Sequence, residues 1–150
     1  MADTVTPAQR RRNMQRIKGK DTVPELFVRK LLFQEGYRYR LHSKKIPGHP
    51  DIWLGKYNTA IFVHGCFWHR HRACKYAYTP KTRVDFWMNK FQKNIERDEA
   101  IKNMLEKKGV RTIIIWECSI NRIKKSSEET RLFLEQINRF LNSSEHNLEL

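Results

Sequence analysis

Three cysteines and one histidine fall where a metal ion would hold them. Cys66 and His71 are separated by four residues, His71 and Cys74 by two, and Cys118 follows a strongly apolar run. Three thiolates and one imidazole make a closed tetrahedral zinc shell, structural because no position stays open for substrate. An odd number of cysteines argues against a disulfide framework. His69 competes with His71 as the fourth ligand, and the alternative for Cys66 and Cys118 is a pair of buried apolar thiols. The stretch 65–82 has no regular period and little core of its own, so a metal crosslink would supply its stability.

A second constellation centres on Asp51. Gly48-His-Pro-Asp51 puts a carboxylate at the start of a strand, and the returning strand ends at His64, with His69 in the loop beyond. A carboxylate joined by carbonyl and phosphate oxygens suits Mg2+, which prefers oxygen ligands. A nearby imidazole can take a proton from an attacking water. Each residue also has a plain reading. An Asp after a proline is a common turn or capping residue, and Glu25 is fully explained by a capping box, Thr22-Val-Pro-Glu25.

The elements that must position these groups follow from periodicity. A helix opens at Thr22 and ends at Gly36. Tyr37–Leu41 alternates like a strand, and residues 42–50 form a loop. Asp51–Leu54 and Thr59–His64 make a hairpin around the turn Gly55–Asn58. A long helix runs from Thr82 to about Lys108, with Gly109 as its stop and an apolar stripe through Val84, Trp87, Met88, Phe91, Ile95 and Leu105. Val110–Trp116 is a strand buried on both faces. A last helix capped by Ser126 or Ser127 runs to about Leu141. The order α-β-β-β-α-β-α, with a crossover helix between the strand ending at His64 and the strand 110–116, predicts an α/β fold with a mixed sheet flanked by helices. The chain divides into a basic arm (1–20), one core (21–142) and a frayed tail (143–150).

The formal net charge is +14 and hydrophobic residues are 39% of 150. The apolar content excludes a disordered polymer, and no apolar run is long enough for a membrane span. The start carries no secretory pattern, so a cytoplasmic location is expected. The charge favours a polyanion, with counterions released as Lys and Arg meet phosphates. Residues 10–20 hold six basic side chains and no acid. They read as a solvated arm or as an arm that closes over a DNA groove.

Pro50-Asp51, then Phe62-Val-His64-Gly-Cys-Phe-Trp-His69, His71 and Cys74, Asn94-Ile-Glu-Arg-Asp98, and Trp116-Glu-Cys118 resemble the very-short-patch repair endonucleases, the Vsr family. The likeness runs from about residue 8 to about residue 140. It implies a restriction-endonuclease-like core with one structural zinc at Cys66, His71, Cys74 and Cys118. In the wider superfamily an acid-x-Lys motif follows the Pro-Asp pair; Phe62-Val63-His64 stands there instead, as in the Vsr branch. The resemblance implies a nick in one strand, 5′ to the thymine of a T:G mismatch. Asp51 and the Val63 carbonyl would hold Mg2+, His69 would be general base, His64 would assist at the phosphate and Glu25 would orient water.

A wobble pair is easily unstacked, so apolar wedges meet a smaller cost beside it than in matched DNA. Phe67 and Trp68 are placed to be such wedges, with Met14 entering from the opposite groove; the plain alternative is that the two rings cover the sheet edge. The resemblance places the face of Trp87, Lys90, Asn94 and Asp98, which recur at helical spacing, close to DNA, with Trp87, Lys90 and Asn94 as expected contacts, against a solvated face with Trp87 in the core. Arg70 and Arg72, with Lys75, Lys81 and Arg83, would meet phosphates, which set register without specifying sequence. The resemblance also implies a monomer near the nucleoid, with mismatch-repair proteins as candidate partners. Two other functions fit the residues: a non-catalytic zinc-stabilised DNA-binding module, and a site-specific nuclease on matched duplex.

Overall fold

The computed structural model describes residues 6–9 and 20–150. Residues 10–19, and with them Met14 and most of the basic arm, lie outside the described residues. Residues 7–9 are helical, and Thr6 caps them: its Oγ1 accepts from Gln9 N–H at 3.1 Å and its own N–H donates to Gln9 Oε1 at 2.8 Å.

Helix α1 spans Val23–Gln34 and buries Glu25, Val28 and Leu32. Thr22 Oγ1 accepts from Glu25 N–H at 3.4 Å, and Pro24 lies in the first turn. Gly36 takes the left-handed conformation, φ +92°, that ends the helix. Strand β1 is only Arg40–Leu41, shorter than the alternation from Tyr37 suggests. Tyr37 and Tyr39 pack on the core instead, and the Tyr39 hydroxyl donates to Arg29 O at 3.0 Å.

Strands β2 (Ile52–Leu54) and β3 (Thr59–His64) form the expected hairpin. Asn58 closes its turn at φ 49°. Helix α2 covers Val84–Lys107 and leads to β4, Arg111–Trp116. A short helix α3, Glu117–Ile123, follows; seven residues are too few to show a period in the sequence. Helix α4 is Ser127–Leu141, with Ser126 Oγ accepting from Glu129 N–H at 3.2 Å.

The tail corrects the reading of 143–150 as frayed. Asn147–Glu149 forms strand β5. Leu150 N–H donates to Ile114 O and Trp116 N–H to Leu150 O, both at 2.9 Å. The backbone groups offered by β4 organise a segment whose apolar content alone is too small to predict a strand.

The sheet runs β1-β2-β3-β4-β5, antiparallel across the first three strands and parallel from β3 to β5. The β3–β4 register pairs Ile61 with Ile113 and His64 with Trp116. Alternation then divides the side chains. Ile52, Leu54, Ile61, Ile113 and Ile115 meet α1, α3 and α4 in the larger core. Ala60 and Phe62 face Leu105 and Ile101 of α2. His64 shares the parity of Ala60 and Phe62, so it emerges on the α2 side at the end of β3.

Ile113 is fully buried in the larger core, whereas Met104 on α2 is 45% exposed. Ile113→Ala is expected to lower the unfolding free energy by roughly 2–4 kcal/mol. Met104→Ala should stay within about 0.5 kcal/mol of the parent. Urea titrations that rank the two variants the other way would contradict this core.

Candidate active site

Asp51, His64 and His69 line one cleft of about 1380 Å³, together with Glu25, His42, His49, Trp68, Lys90, Asn94, Arg97 and Asp98. Asp51 stands one residue before β2, opposite the end of β3. Its Oδ2 accepts the Val63 backbone N–H at 2.7 Å. Burial pushes this carboxyl up to about 6, against the pull of that N–H, and the nearby Glu25 carboxylate adds to the rise.

Glu25 is 3% exposed and is already engaged. Its Oε2 accepts Asp21 N–H at 3.0 Å and Arg29 Nη2 at 3.1 Å. The capping box is therefore shifted by one residue: Glu25 reaches back to Asp21 and not to Thr22. Arg29 also meets Asp21 Oδ1 at 2.6 Å and His42 Nε2 at 3.0 Å. This network ties the start of α1 to the loop before Asp51.

The two histidines lie face to face. The rings of His64 and His69 stack with centroids 3.8 Å apart and planes 4° from parallel. His69 Nδ1 is 2.7 Å from Asp98 Oδ2 of α2. A carboxylate accepts, so Nδ1 of His69 is the donor in this pair. Burial, with His69 beside it, pushes the His64 imidazole down to about 3, so it is neutral at physiological pH.

Cys66, His71, Cys74 and Cys118 form a separate cluster behind the cleft, with all ligand atoms within 4.8 Å of one another. His71 Nδ1 is 3.6 Å from Cys66 Sγ and 3.4 Å from Cys118 Sγ. Bonds of about 2.0–2.3 Å on a tetrahedron place neighbouring ligand atoms roughly 3.5 Å apart, so the set fits a metal ion. Burial pushes the Cys66 thiol up to about 12, and only a cation would make its thiolate favourable there. His69, the competing fourth ligand, stacks on His64 in the cleft, so the structure separates the two roles.

A sequence model described as DNA mismatch endonuclease Vsr matches residues 2–75. The type II nicking enzyme V.NmeAIP of Neisseria meningitidis is 46% identical over 120 residues, 80% of this chain and 85% of that protein. V.XorIIP of Xanthomonas oryzae, also a type II nicking enzyme, is 42% identical over 81% of this chain and 88% of its own length. The DNA mismatch endonuclease Vsr of Escherichia coli is 39% identical over 129 residues, 86% of this chain and 82% of its own. The chain belongs to the Vsr family. It is a DNA endonuclease, a hydrolase of the DNA-repair class. No helix among the described residues is long and apolar enough to cross a membrane.

Within this Vsr-family fold the expected DNA contacts separate into three groups. Trp68, Lys90 and Asn94 line the cleft. Asn94 Nδ2 donates to Trp68 O at 3.0 Å, and Lys90 Nζ lies 5.6 Å from the Trp68 ring centroid. Phe67 is partly buried among Trp68, Tyr78, Trp87 and Phe91. Arg72 is exposed.

Two of the expected DNA contacts are engaged within the protein. Trp87 is 7% exposed and supports Phe67 and Trp68 from beneath, because the helical stripe turns it into the aromatic cluster. Arg70 turns inward. Its guanidinium donates to the carbonyls of Ala77 at 2.8 Å, Tyr78 at 3.0 Å and Phe67 at 3.3 Å, and lies 3.8 Å over the Phe91 ring. An irregular loop leaves carbonyls unpaired, and a planar five-donor cation satisfies several at once. Arg70 and Ala73 also hold left-handed backbones, φ 53° and 55°, that such bonds must stabilise.

The sequence reading assigned no role to Asp98, although it placed that residue on the Lys90 and Asn94 face; the missing signal was the position of His69 across the cleft. His42, Lys44, His49 and Arg97 also line the cleft and carry no spacing signal. Arg70→Gln is expected to cost roughly 2 kcal/mol of unfolding free energy. Arg72→Gln should cost less than about 0.5 kcal/mol. Equal losses in denaturant titrations would show that Arg70 is no more structural than its exposed neighbour.

Proposed function

We propose that this chain nicks one strand of duplex DNA on the 5′ side of the thymine in a T:G mismatch, by Mg2+-dependent hydrolysis. The observation that carries this reading is the meeting of the half-buried Asp51 carboxylate, a stacked histidine pair and the Trp68 ring in one cleft. The nicking-enzyme names of two relatives and the mismatch-endonuclease name of a third support a single-strand cut at a mispair.

Asp51, with the carbonyl of Val63, would hold Mg2+, and Glu25 faces the same cleft. The half-buried carboxyl at about 6, with one N–H donor, fits a site that a hard cation completes. When bound, Mg2+ stabilises the charge that builds on the phosphate and the leaving oxygen. His69, fixed by Asp98, takes the proton of the attacking water at Nε2. The water oxygen bonds to phosphorus, the bond from phosphorus to the 3′ oxygen breaks, and that oxygen takes a proton from solvent. A 5′ phosphate and a 3′ hydroxyl remain. His64, neutral and beside His69, is placed to hydrogen-bond the phosphate.

Trp68 opens the mispaired step from the cleft wall, with Phe67 edge-on behind it and Met14 expected from the arm. Lys90, Asn94 and Arg72 meet the duplex around that step. Zinc is the metal proposed for Cys66, His71, Cys74 and Cys118, because three thiolates and an imidazole select it over oxygen-seeking ions.

Asp51→Asn is expected to lower nicking of a T:G duplex by at least about a thousandfold, while mismatch binding stays within roughly threefold. End-labelled duplexes carrying each mismatch, with Mg2+ or EDTA, map the cut; undiminished cleavage by the variant would refute the role of Asp51. A cut of both strands in matched duplex would favour the site-specific nuclease. Salt-sensitive binding with no strand breakage would favour the non-catalytic module. Cys118→Ser should release zinc and lower the melting temperature by about 10 °C or more. Metal analysis and thermal scans showing neither change would remove zinc from this cluster.

A further inference from the structure

Trp116 stands between the cysteine cluster and the histidine pair. Its indole lies flat on the His71 ring, with centroids 4.1 Å apart and planes 8° from parallel. It meets His64 edge-on at 5.3 Å and 72°. Two bonds from the C-terminal strand hold it. Nε1–H donates to Glu149 Oε1 at 2.5 Å, and the backbone N–H donates to Leu150 O at 2.9 Å. Neither Trp116 nor Glu149 lines the cleft.

His64 depends on its neighbours in a way that His69 does not. His69 has a carboxylate on Nδ1. Among the described residues no side-chain hydrogen bond holds the His64 imidazole; the rings of Phe62, His69 and Trp116 pack around it. A ring held by packing keeps its orientation only while those neighbours keep theirs. A buried indole has one polar handle, its N–H, and the partner of that handle fixes its rotation.

We propose that Trp116, clamped by Glu149 of β5, is a positioning residue that sets the orientation of His64 relative to His69 and Asp51. The inference rests on the nuclease reading of the cleft. It makes the last strand of the chain part of the active-site framework without any contact between that strand and DNA.

The test uses four full-length variants: Glu149→Ala, Glu149→Gln, Trp116→Phe and Trp116→Leu. Nicking of a T:G duplex gives kcat and KM, metal content and melting are measured alongside, and long-range 1H–15N spectra read the imidazole rings. Glu149→Ala and Trp116→Phe are expected to lower kcat about tenfold, with KM within about twofold. Trp116→Leu, which removes the ring, should lose about a hundredfold. Glu149→Gln keeps an oxygen acceptor for the indole and should recover most of the loss. The ring signals of His64 should move in every slow variant while those of His42, held by Arg29, stay in place.

Glu149 is exposed, so Glu149→Ala decides the matter where Trp116→Leu fails to fold. Unchanged kcat and unchanged His64 signals in folded Glu149→Ala would overturn the proposal. Equal losses in Glu149→Ala and Glu149→Gln would overturn it too, since the clamp is a hydrogen bond. A parent protein that does not nick the duplex would defeat the nuclease reading alone, because the ring signals need no turnover.

Discussion

The parallel pairing of β3 with β4 ends on His64 beside Trp116, and the chemistry of the molecule hangs from those two strand ends. Beyond His64 the chain enters the loop that carries Cys66, His69, His71 and Cys74. Beyond Trp116 it enters the helix that carries Cys118. A crossover helix is needed to join parallel strands, and here that helix supplies Asp98, Lys90 and Asn94 to the same cleft. One register therefore sets the distance between the histidine pair and the cysteine cluster. A slip of one residue would send His64 to the opposite face of the sheet and dismantle both.

Burial does the electrostatic work at these strand ends. The protein is strongly cationic, yet its reactive groups are anionic or neutral and sheltered. Asp51 rises to about 6, Cys66 rises to about 12 and His64 falls to about 3, each because low-dielectric surroundings oppose the charged form. A carboxyl and a thiol held this way gain from a cation, a hard one among oxygens and a softer one among sulfurs. The exposed lysines and arginines serve a different purpose, which is attraction of a polyanion.

The irregular segment between β3 and α2 holds its shape without a regular hydrogen-bond ladder. Arg70 collects its carbonyls, the cluster of Phe67, Trp87 and Phe91 gives it a floor, and the cluster of Cys66, His71, Cys74 and Cys118 ties it to α3. Rigidity matters for the proposed wedge, because a floppy ring loses entropy on insertion into a base step. Trp68 is fixed by Asn94 through its backbone carbonyl, so its ring is presented by a held main chain.

Much of this protein was decided by local sequence. The capping residues Thr22 and Ser126, the hairpin at Asn58, the long helix and the buried strand after it all follow from short-range propensity and period, and so does the order of elements. The spacing of Cys66, His71, Cys74 and Cys118 pointed to a set that could hold a metal ion, and these side chains do gather; Asp51 and His64 do line one cleft. Tertiary structure alone decided the rest. Packing turned Arg70 and Trp87 inward, separated His69 from the cysteines and gave it Asp98, and made a strand of Asn147–Glu149 by offering it the free edge of β4. Those outcomes depend on which groups meet across the sheet after long loops close, and the pattern within a single segment carries no record of partners that lie 29 or 33 residues away.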